Sequence, residues 1–235
     1  MNRVFLISPA NCNGQRAQWI LKRDSRSEIA QRLRRTEGVP LGEVFSFLSA
    51  LYFRGKLAYA RAFACPPAEG PGVLIITPSA GLLPHDTAIR LSKLRGFGRV
   101  PISKKNALYR RSLLRDVKKL AAAVGPGCEI VLLGSIASGK YLDILTRALG
   151  EQLRVPADFV GMGDMQRGAL LLRCVQENRE LNYIGIAGIP VQPTRLRKPS
   201  QPFPTAIAVT VPSDEPVLAA RKENSVLPLH KQIVK

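Results

Sequence analysis

Small and polar side chains follow four predicted strands directly, at the point where each strand ends. The loops that carry them are residues 9–14, 78–81, 134–140 and 161–168. Because ligands of open α/β sheets bind beyond the carboxyl ends of the strands, we expect these loops to meet around one pocket. Simple turns need only a few residue types, so the recurrence of amides, hydroxyls and a carboxylate favours a functional site over four unrelated turns.

Two of these loops hold the residues that we assign to catalysis. Asn11 and Asn13 each carry an amide that donates and accepts hydrogen bonds, which suits them either to reading a nucleobase edge or to closing an Asx turn. Asp164 lies among glycines that let a substrate approach the backbone, and it is either a catalytic carboxylate or the N-cap of a helix over 169–175. Arg167, in the same loop, is a candidate for stabilising a leaving base or a phosphate.

Residues 134–141 come close to the phosphate-binding motif G-x-x-x-x-G-K-[ST], between a strand and a helix. Tyr141 replaces the Ser or Thr hydroxyl that would hold magnesium, and no later apolar strand ends in an Asp that could complete a metal site. The segment is therefore not predicted to hydrolyse nucleotides. Gly134, Ser135 and Lys140 still suit a phosphate, because exposed N–H groups at a helix N-terminus bind anions.

The chain after the second predicted strand adds three further candidates for substrate binding. Ser79 offers a hydroxyl to a flanking phosphate, and the adjacent His85 and Asp86 could form an acid–base pair. A purely structural role for His85 is the alternative.

The strongest compositional signal is a net charge of +18 at pH 7, with a pI near 10.4. This charge predicts a polyanionic partner, nucleic acid first and DNA before RNA. Much of the excess lies in residues 22–35 and 90–119, and the second segment contains a single acid, Asp116. A merely solubilising surface is the alternative. We predict that six cations follow the DNA backbone: Arg95, Arg99, Lys104, Lys105, Arg110 and Arg111.

The four cysteines are scattered without a C-x-x-C pair, which argues against disulfides and a zinc site, and no metal or redox cofactor is expected. Cys12 lies in a candidate loop, but no His is near it in sequence, which disfavours a nucleophilic role. No apolar run approaches the roughly 18 to 20 residues that cross a bilayer, and the N-terminus does not have the pattern of a signal peptide. We therefore expect a cytoplasmic protein without a membrane partner.

Apolar periodicity predicts strands that alternate with helices. Strands are predicted at 4–8, 73–77, 129–133, within 154–160 and at 182–187, and helices at 26–35, 41–63, 104–124 and 141–149, while 170–177 is compatible with either. The helix at 41–63 is expected to bend near Gly55. This order predicts an α/β domain over 1–188, whose mostly parallel central sheet has helices on both faces. Residues 189–235 are rich in Pro and carry basic residues, which predicts an extended tail or wrapping arm.

Residues 76–89 resemble a segment of small bacterial domains in which a strand ends in Ser-Ala-x-x-Gly-Leu-x-x-Pro-Asp-x-x-Ile. Residues 53–60 are similar to the Phe-Arg-Lys-x-x-x-Tyr-Ala stretch of those domains, and residues 133–135 match their later Gly loop. The resemblance covers roughly residues 4–150 and points to the uracil-DNA-glycosylase-like fold. It implies strand-end loops that accept a flipped nucleotide, and the layout is also similar to that of a phage-defence DNA glycosylase. The Gly-x-Asp/Glu-Pro and His-Pro-Ser loops of better-known glycosylases are missing, so no catalytic residue is carried over.

These observations together predict a DNA N-glycosylase that flips out and hydrolytically excises a damaged or modified base, leaving an abasic site. Asp164 would stabilise the sugar cation and position water, while Asn11 and Asn13 would bind the base. The alternatives are a non-catalytic basic nucleic-acid-binding protein and a nucleoside or nucleotide glycosyl-transfer enzyme. Flanking phosphates would be bound by Ser79, Gly134, Ser135 and Lys140.

Overall fold

The computed structural model describes residues 1–68, 70–136 and 139–188. In chain order the elements are β1 (Arg3–Ile7), α1 (Gln15–Leu21), α2 (Glu28–Arg34), β2 (Val39–Pro40), α3 (Leu41–Phe63), β3 (Val73–Ile76), β4 (Leu82–Pro84), β5 (Ala88–Ile89), α4 (Leu91–Gly98), α5 (Ala107–Val124), β6 (Glu129–Leu133), α6 (Leu142–Leu149), β7 (Leu153–Pro156), α7 (Asp164–Gln176) and β8 (Tyr183–Gly185). Short 3₁₀ helices lie at Gly150–Gln152, Ala157–Phe159 and Ile186–Gly188. The tail predicted for 189–235 lies outside the described residues.

The main sheet has six strands in the order β4-β3-β1-β6-β7-β8. Its central strands β3, β1, β6 and β7 run parallel, whereas β4 and β8 pair antiparallel at the two edges. β1 lies inside the sheet, where Phe5 pairs with Val73 on one side and Val131 on the other. β2 and β5 form a separate two-stranded ribbon. The prediction of an α/β domain with a mostly parallel sheet is confirmed.

Helices cover both faces of the sheet. Alternate residues of a strand point to opposite faces, so Phe5 and Ile7 join a core with α1, α2, α3, α4 and α7, while Val4 and Leu6 join a core with α5 and α6. Because both faces are buried, the central strands are continuous apolar runs, and this is why the sequence predicted β1, β3 and β6 within a residue of their ends.

Helix α5 shows how local sequence sets the ends of an element. The Asn106 side chain accepts a hydrogen bond from the backbone N–H of Tyr109 at 3.0 Å, so the helix begins after Asn106 and not at Lys104 as predicted. At the other end Gly125 has a φ of +72°, a conformation that glycine adopts without strain, and the helix stops there. The apolar face of α5, which includes Leu113 and Val117, packs on the sheet.

The long helix α3 is interrupted at Ala50, whose φ of +49° lies outside the helical region. The prediction of a bend near Gly55 was therefore wrong by about one helical turn. A positive φ at a residue with a Cβ is strained and is found where the surrounding structure enforces it. The interruption is adjacent to Ser49, and Tyr52 and Lys56 follow it on the same helix.

Gly55 has a packing role that the sequence did not reveal. A Cβ on Gly55 would come within 2.7 Å of the Gly168 carbonyl oxygen, and a Cβ on Gly168 would come within 2.9 Å of the Tyr52 Cα. The backbones of α3 and α7 are therefore in direct contact where the two helices cross. A larger residue at either glycine would force the helices to shift.

Several elements escaped the periodicity argument because they are short or weakly amphipathic. These are α1, β2, β4, β5 and α4. The helix considered at 169–175 begins earlier, at Asp164, where Gly163 is the N-cap residue and its N–H donates to the Gln166 side chain at 3.0 Å. Asp164 is therefore the first residue of α7 and not its N-cap.

We expect Gly168→Ala to lower the free energy of unfolding by about 1–3 kcal/mol, because the added methyl group overpacks the contact with Tyr52. Gly96→Ala in α4 is the matched control, since a Cβ there meets nothing within 4 Å. This control should be neutral or stabilising by up to about 1 kcal/mol, the helix propensity difference. Chemical denaturation measures both, and equal effects of the two substitutions would contradict the proposed contact.

Candidate functional site

A pocket of about 470 Å³ lies at the carboxyl edge of the parallel strands. It is lined by residues 8–13 after β1, by Pro78 after β3, by Ser135 and Lys140 after β6, and by Asp164 at the start of α7. Three strand-end loops and the start of a helix therefore contribute to one pocket, at the edge of the sheet where α/β proteins bind ligands. The strand predicted within 154–160 ends at Pro156 and is followed by the 3₁₀ helix Ala157–Phe159, so the prediction that residues 161–168 directly follow a strand was wrong. Helix α3 adds Ser49, Tyr52 and Lys56, and the chain after α4 adds Val100, Pro101 and Ile102.

Asn11 and Asn13 both line the pocket, and a turn links them. The Asn11 side-chain oxygen accepts a hydrogen bond from the Asn13 backbone N–H at 2.9 Å, which is an Asx turn. The carbonyl oxygen of Asn13 accepts from Gln18 at 3.3 Å. The turn and the base-reading interpretation are thus compatible, because the Asn11 amide nitrogen and the Asn13 side chain take no part in these bonds.

Asp164 presents a carboxylate to the pocket, and Arg167 supports it from the protein side. The Asp164 side chain is 67% exposed and the Arg167 side chain 7% exposed, and Nη1 of Arg167 lies 3.5 Å from Oδ1 of Asp164. Nε and Nη2 of Arg167 donate to the Phe159 carbonyl at 3.3 and 2.9 Å. Arg167 therefore holds the segment before α7 in place through the Phe159 carbonyl. It does not line the pocket, so the structure does not place it where it could contact a leaving base or a phosphate directly. The N-terminal position of Asp164 is one where the helix dipole favours a negative charge.

Lys56 is a functional candidate that sequence reasoning missed. It is 2% exposed, and its Nζ donates to the Ser8 Oγ at 2.7 Å and to the Ser8 carbonyl at 2.9 Å. The ammonium also lies 4.5 Å from the ring centroid of Tyr52 and 5.0 Å from that of Phe53. Across the described parts of the chain, no ion pair involves Lys56. A lysine this buried without a carboxylate partner is unusual for a purely structural residue.

Burial lowers the pKa of Lys56 to about 7, because desolvation penalises the charged amine. The charge of Asp164 acts in the opposite direction, and that of Arg167 adds to the lowering. A substantial fraction of Lys56 is therefore a neutral amine near pH 7. The signal in the sequence is its spacing, since Lys56 follows Tyr52 by four residues and precedes Tyr59 by three, and both tyrosines are buried on that face of α3.

Tyr52 and Gly134 complete the wall around Ser8. The Tyr52 hydroxyl is buried without a hydrogen bond of ordinary geometry, and burial raises the pKa of Tyr52, an effect that the nearby Arg167 charge opposes. A Cβ on Gly134 would come within 2.8 Å of both the Ser8 Cβ and the Tyr141 hydroxyl. Gly134 therefore acts by letting the β6 loop pack on Ser8.

Cys12 also lines the pocket, and burial raises the pKa of its thiol to about 12. Thiolates and not thiols are nucleophilic, so Cys12 acts here as a small buried side chain. This agrees with the expectation from its sequence surroundings.

His85, Asp86 and Ser79 lie away from this pocket. β4 runs antiparallel to β3, so the chain after β4 returns to the amino end of β3, and His85 and Asp86 line a cleft with Arg61 at that opposite edge. Ser79 does not line the pocket, although Pro78 in the same loop does. The Ser79 carbonyl oxygen accepts a hydrogen bond from the Ser112 hydroxyl at 3.3 Å. The sequence interpretation placed His85 and Asp86 near the site because β4 is too short to be predicted. Ser79 was assigned from its position in the loop after β3, of which only Pro78 lines the pocket.

Two of the six predicted backbone-binding cations, Lys104 and Arg110, lie in one cleft. Residues 100–102 line the pocket, and Lys104 lines a second cleft of about 540 Å³ between α5 and α6, together with Arg110, Lys118 and Arg147. Asp143 lies in the same cleft, 3.5 Å from Lys104. Arg99, Lys105 and Arg111 are not paired with acids in the described part of the chain, and Arg95 donates to the Leu21 carbonyl at 3.4 Å.

Residues 1–68, 70–136 and 139–188 contain no group of three or more His, Cys, Asp or Glu side chains that could hold a metal ion. In the same residues, no helix combines the length and the apolar character that crossing a membrane requires.

Comparison with known proteins finds no matching family model, no matching curated protein and no matching solved structure. The function of the site therefore has to be argued from its own chemistry.

Lys56 should make stability depend on pH. Its pKa is about 7 in the folded chain and 10.5 when unfolded, so the unfolded state binds the proton more tightly and stability rises as the pH increases from about 7 towards 10. Between pH 7 and 9, we expect wild type to gain about 2 kcal/mol in free energy of unfolding relative to Lys56→Met. Urea titrations at several pH values measure this difference, and parallel pH profiles for the two proteins would refute the assignment.

Proposed function

We propose that this protein is a DNA N-glycosylase that accepts a flipped damaged or modified nucleotide in the pocket and hydrolyses its glycosidic bond. The observation that carries the proposal is the meeting of Asn11, Asn13 and Asp164 in one pocket beside a basic surface. The pocket volume of about 470 Å³ lies within the range of roughly 300–1,000 Å³ that is common for small-ligand sites. The resemblance to the uracil-DNA-glycosylase-like fold agrees with this proposal.

The chemistry requires two opposite charges to be stabilised. Cleavage of the C–N bond places positive charge on the sugar and negative charge on the departing base. In our proposal the Asp164 carboxylate stabilises the sugar and positions the attacking water, while the Asn11 and Asn13 amides donate to the base. Arg167 acts indirectly, since it holds Phe159 and contacts Asp164 from behind.

The basic surface supplies the remaining requirement. A nucleotide must leave the base stack before it can enter a pocket, and the cost of a few kcal/mol is offset by contacts to the backbone and the flipped base. Lys140 lines the pocket, and the cations of the second cleft are Lys104, Arg110, Lys118 and Arg147. In our proposal these cations contact the DNA phosphates on one side of the pocket. Ser135 also lines the pocket and offers a hydroxyl to a phosphate.

The activity test uses duplex and single-stranded oligonucleotides that contain uracil, hydroxymethylated or glucosylated cytosine, or alkylated bases. Mild alkali cuts any abasic site that results. With the substrate that is excised, we expect Asp164→Asn to lower the rate by about 100-fold or more, because the carboxylate charge is lost at unchanged shape. Asp24→Asn, an exposed acid outside the pocket, should retain the wild-type rate.

Full activity of Asp164→Asn would remove Asp164 from the mechanism. If DNA is bound but none of these bases is excised, the non-catalytic binding protein becomes the better description. If free nucleosides or nucleotides are cleaved and DNA is not, the glycosyl-transfer enzyme replaces our proposal.

DNA binding itself should depend steeply on salt. If about four phosphates are contacted, affinity should fall by about 100-fold between 50 and 200 mM salt, because each contact releases a counterion. Arg110→Gln should weaken binding and reduce the slope of log affinity against log salt by about one. Arg61→Gln, at the opposite edge of the sheet, is the matched control and should change neither. Fluorescence anisotropy at several salt concentrations measures both quantities, and a flat response would exclude a phosphate-binding surface.

A further inference from the structure

The glycosylase proposal leaves Lys56 without a role, although Lys56 lines the same pocket as Asp164. Its amine is held at 2.7 Å from the Ser8 hydroxyl, between the rings of Tyr52 and Phe53. An amine in an apolar enclosure is the arrangement with which enzymes form imines with carbonyl groups, because only the neutral amine has a lone pair to attack. The pocket therefore contains a group suited to a substrate that carries an aldehyde.

Excision of a base creates such an aldehyde. The abasic deoxyribose opens from its ring form to a free aldehyde at C1′, and this product forms in the pocket where the base was removed. We propose that Lys56 attacks C1′ of the abasic sugar and that the protein also cleaves the DNA strand as an abasic-site lyase. This inference rests on the proposed function, because it takes the product of that reaction as its substrate.

The chemical steps balance without an oxidant or a metal. The Lys56 nitrogen lone pair forms a bond to C1′, and the proton that the nitrogen then loses is transferred to the former carbonyl oxygen to give a carbinolamine. The hydroxyl then leaves as water after a second protonation, which yields a protonated imine. Loss of a proton from C2′ gives an enamine, whose electrons then form a C2′–C3′ double bond and restore the protonated imine. The C3′–O bond breaks at the same time, and its electrons leave with the phosphate oxygen, so the DNA on the 3′ side departs with a 5′ phosphate. Water finally hydrolyses the imine, which returns the Lys56 amine and an unsaturated aldehyde.

The neighbouring groups fit these proton transfers. Ser8 Oγ lies at hydrogen-bond distance from Nζ and can pass protons between the amine and the carbinolamine oxygen. The exposed Asp164 carboxylate lines the same pocket and is the candidate base for the C2′ proton. The Lys56 backbone is well fixed, because the adjacent Gly55 packs against α7, the helix that carries Asp164.

The test uses DNA that already contains an abasic site, made by treating uracil-containing DNA with an unrelated uracil glycosylase. Sodium borohydride reduces a protonated imine to a stable secondary amine, so it links the full-length protein covalently to DNA. We expect a gel-shifted adduct with wild-type protein, and mass spectrometry of its proteolytic digest should place the modification on Lys56. Without borohydride, the same DNA should be cut on the 3′ side of the abasic site.

Lys56→Met should lose both the adduct and the cleavage, with circular dichroism reporting whether it is folded. Arg61→Met, which removes an exposed cation at the opposite edge of the sheet, is the control and should form the adduct normally. Mapping the wild-type adduct tests the proposal even if Lys56→Met does not fold. Modification at Lys140 or at the amino terminus, or no adduct at all, would overturn the lyase assignment.

The preformed abasic site separates the two proposals. An adduct on Lys56 without excision of any tested base supports the lyase and counts against the glycosylase. Base excision with no adduct on the preformed site supports a glycosylase and refutes the lyase.

Discussion

The site depends on the contact between α3 and α7, where Gly55 and Gly168 let two helix backbones touch. Helix α3 carries Tyr52 and Lys56, and α7 begins with Asp164, so this one crossing sets the positions of the groups on both sides of the pocket. A side chain at either glycine would meet backbone atoms of the other helix at less than 3.0 Å, so the two helices would have to shift. The packing constraint and the chemistry are therefore coupled through two residues that carry no functional group.

A second constraint is electrostatic. The chain carries a net charge of +18, yet the amine at the base of the pocket is buried and has a lowered pKa. Exposed cations such as Lys140 stay hydrated and attract anions over distance. In Lys56, by contrast, the two Ser8 oxygens and two aromatic rings take the place of the water molecules around the amine. The same residue type thus serves two different physical purposes, which only the fold distinguishes.

The sequence predicted those parts of the fold in which local pattern and burial coincide. β1, β3 and β6 are buried on both faces and show as apolar runs, and the rule that ligands bind at the carboxyl edge located the loops around Asn11 and Asp164. Lys56 was missed because its burial also depends on Ser8, which is 48 residues away in sequence, and on the packing of α3 against α7. His85 was placed near the site because the reversal of direction at β4 has only three residues to signal it.

The strand order also has a consequence for how the chain is made. β1 leaves the ribosome before both of its neighbours, β3 and β6, and Arg3 pairs with Glu129. β1 must therefore wait for more than half of the described chain before its second edge is covered, and nascent chains that stop earlier expose an apolar strand. The position of one strand therefore sets how long an apolar edge stays uncovered during synthesis.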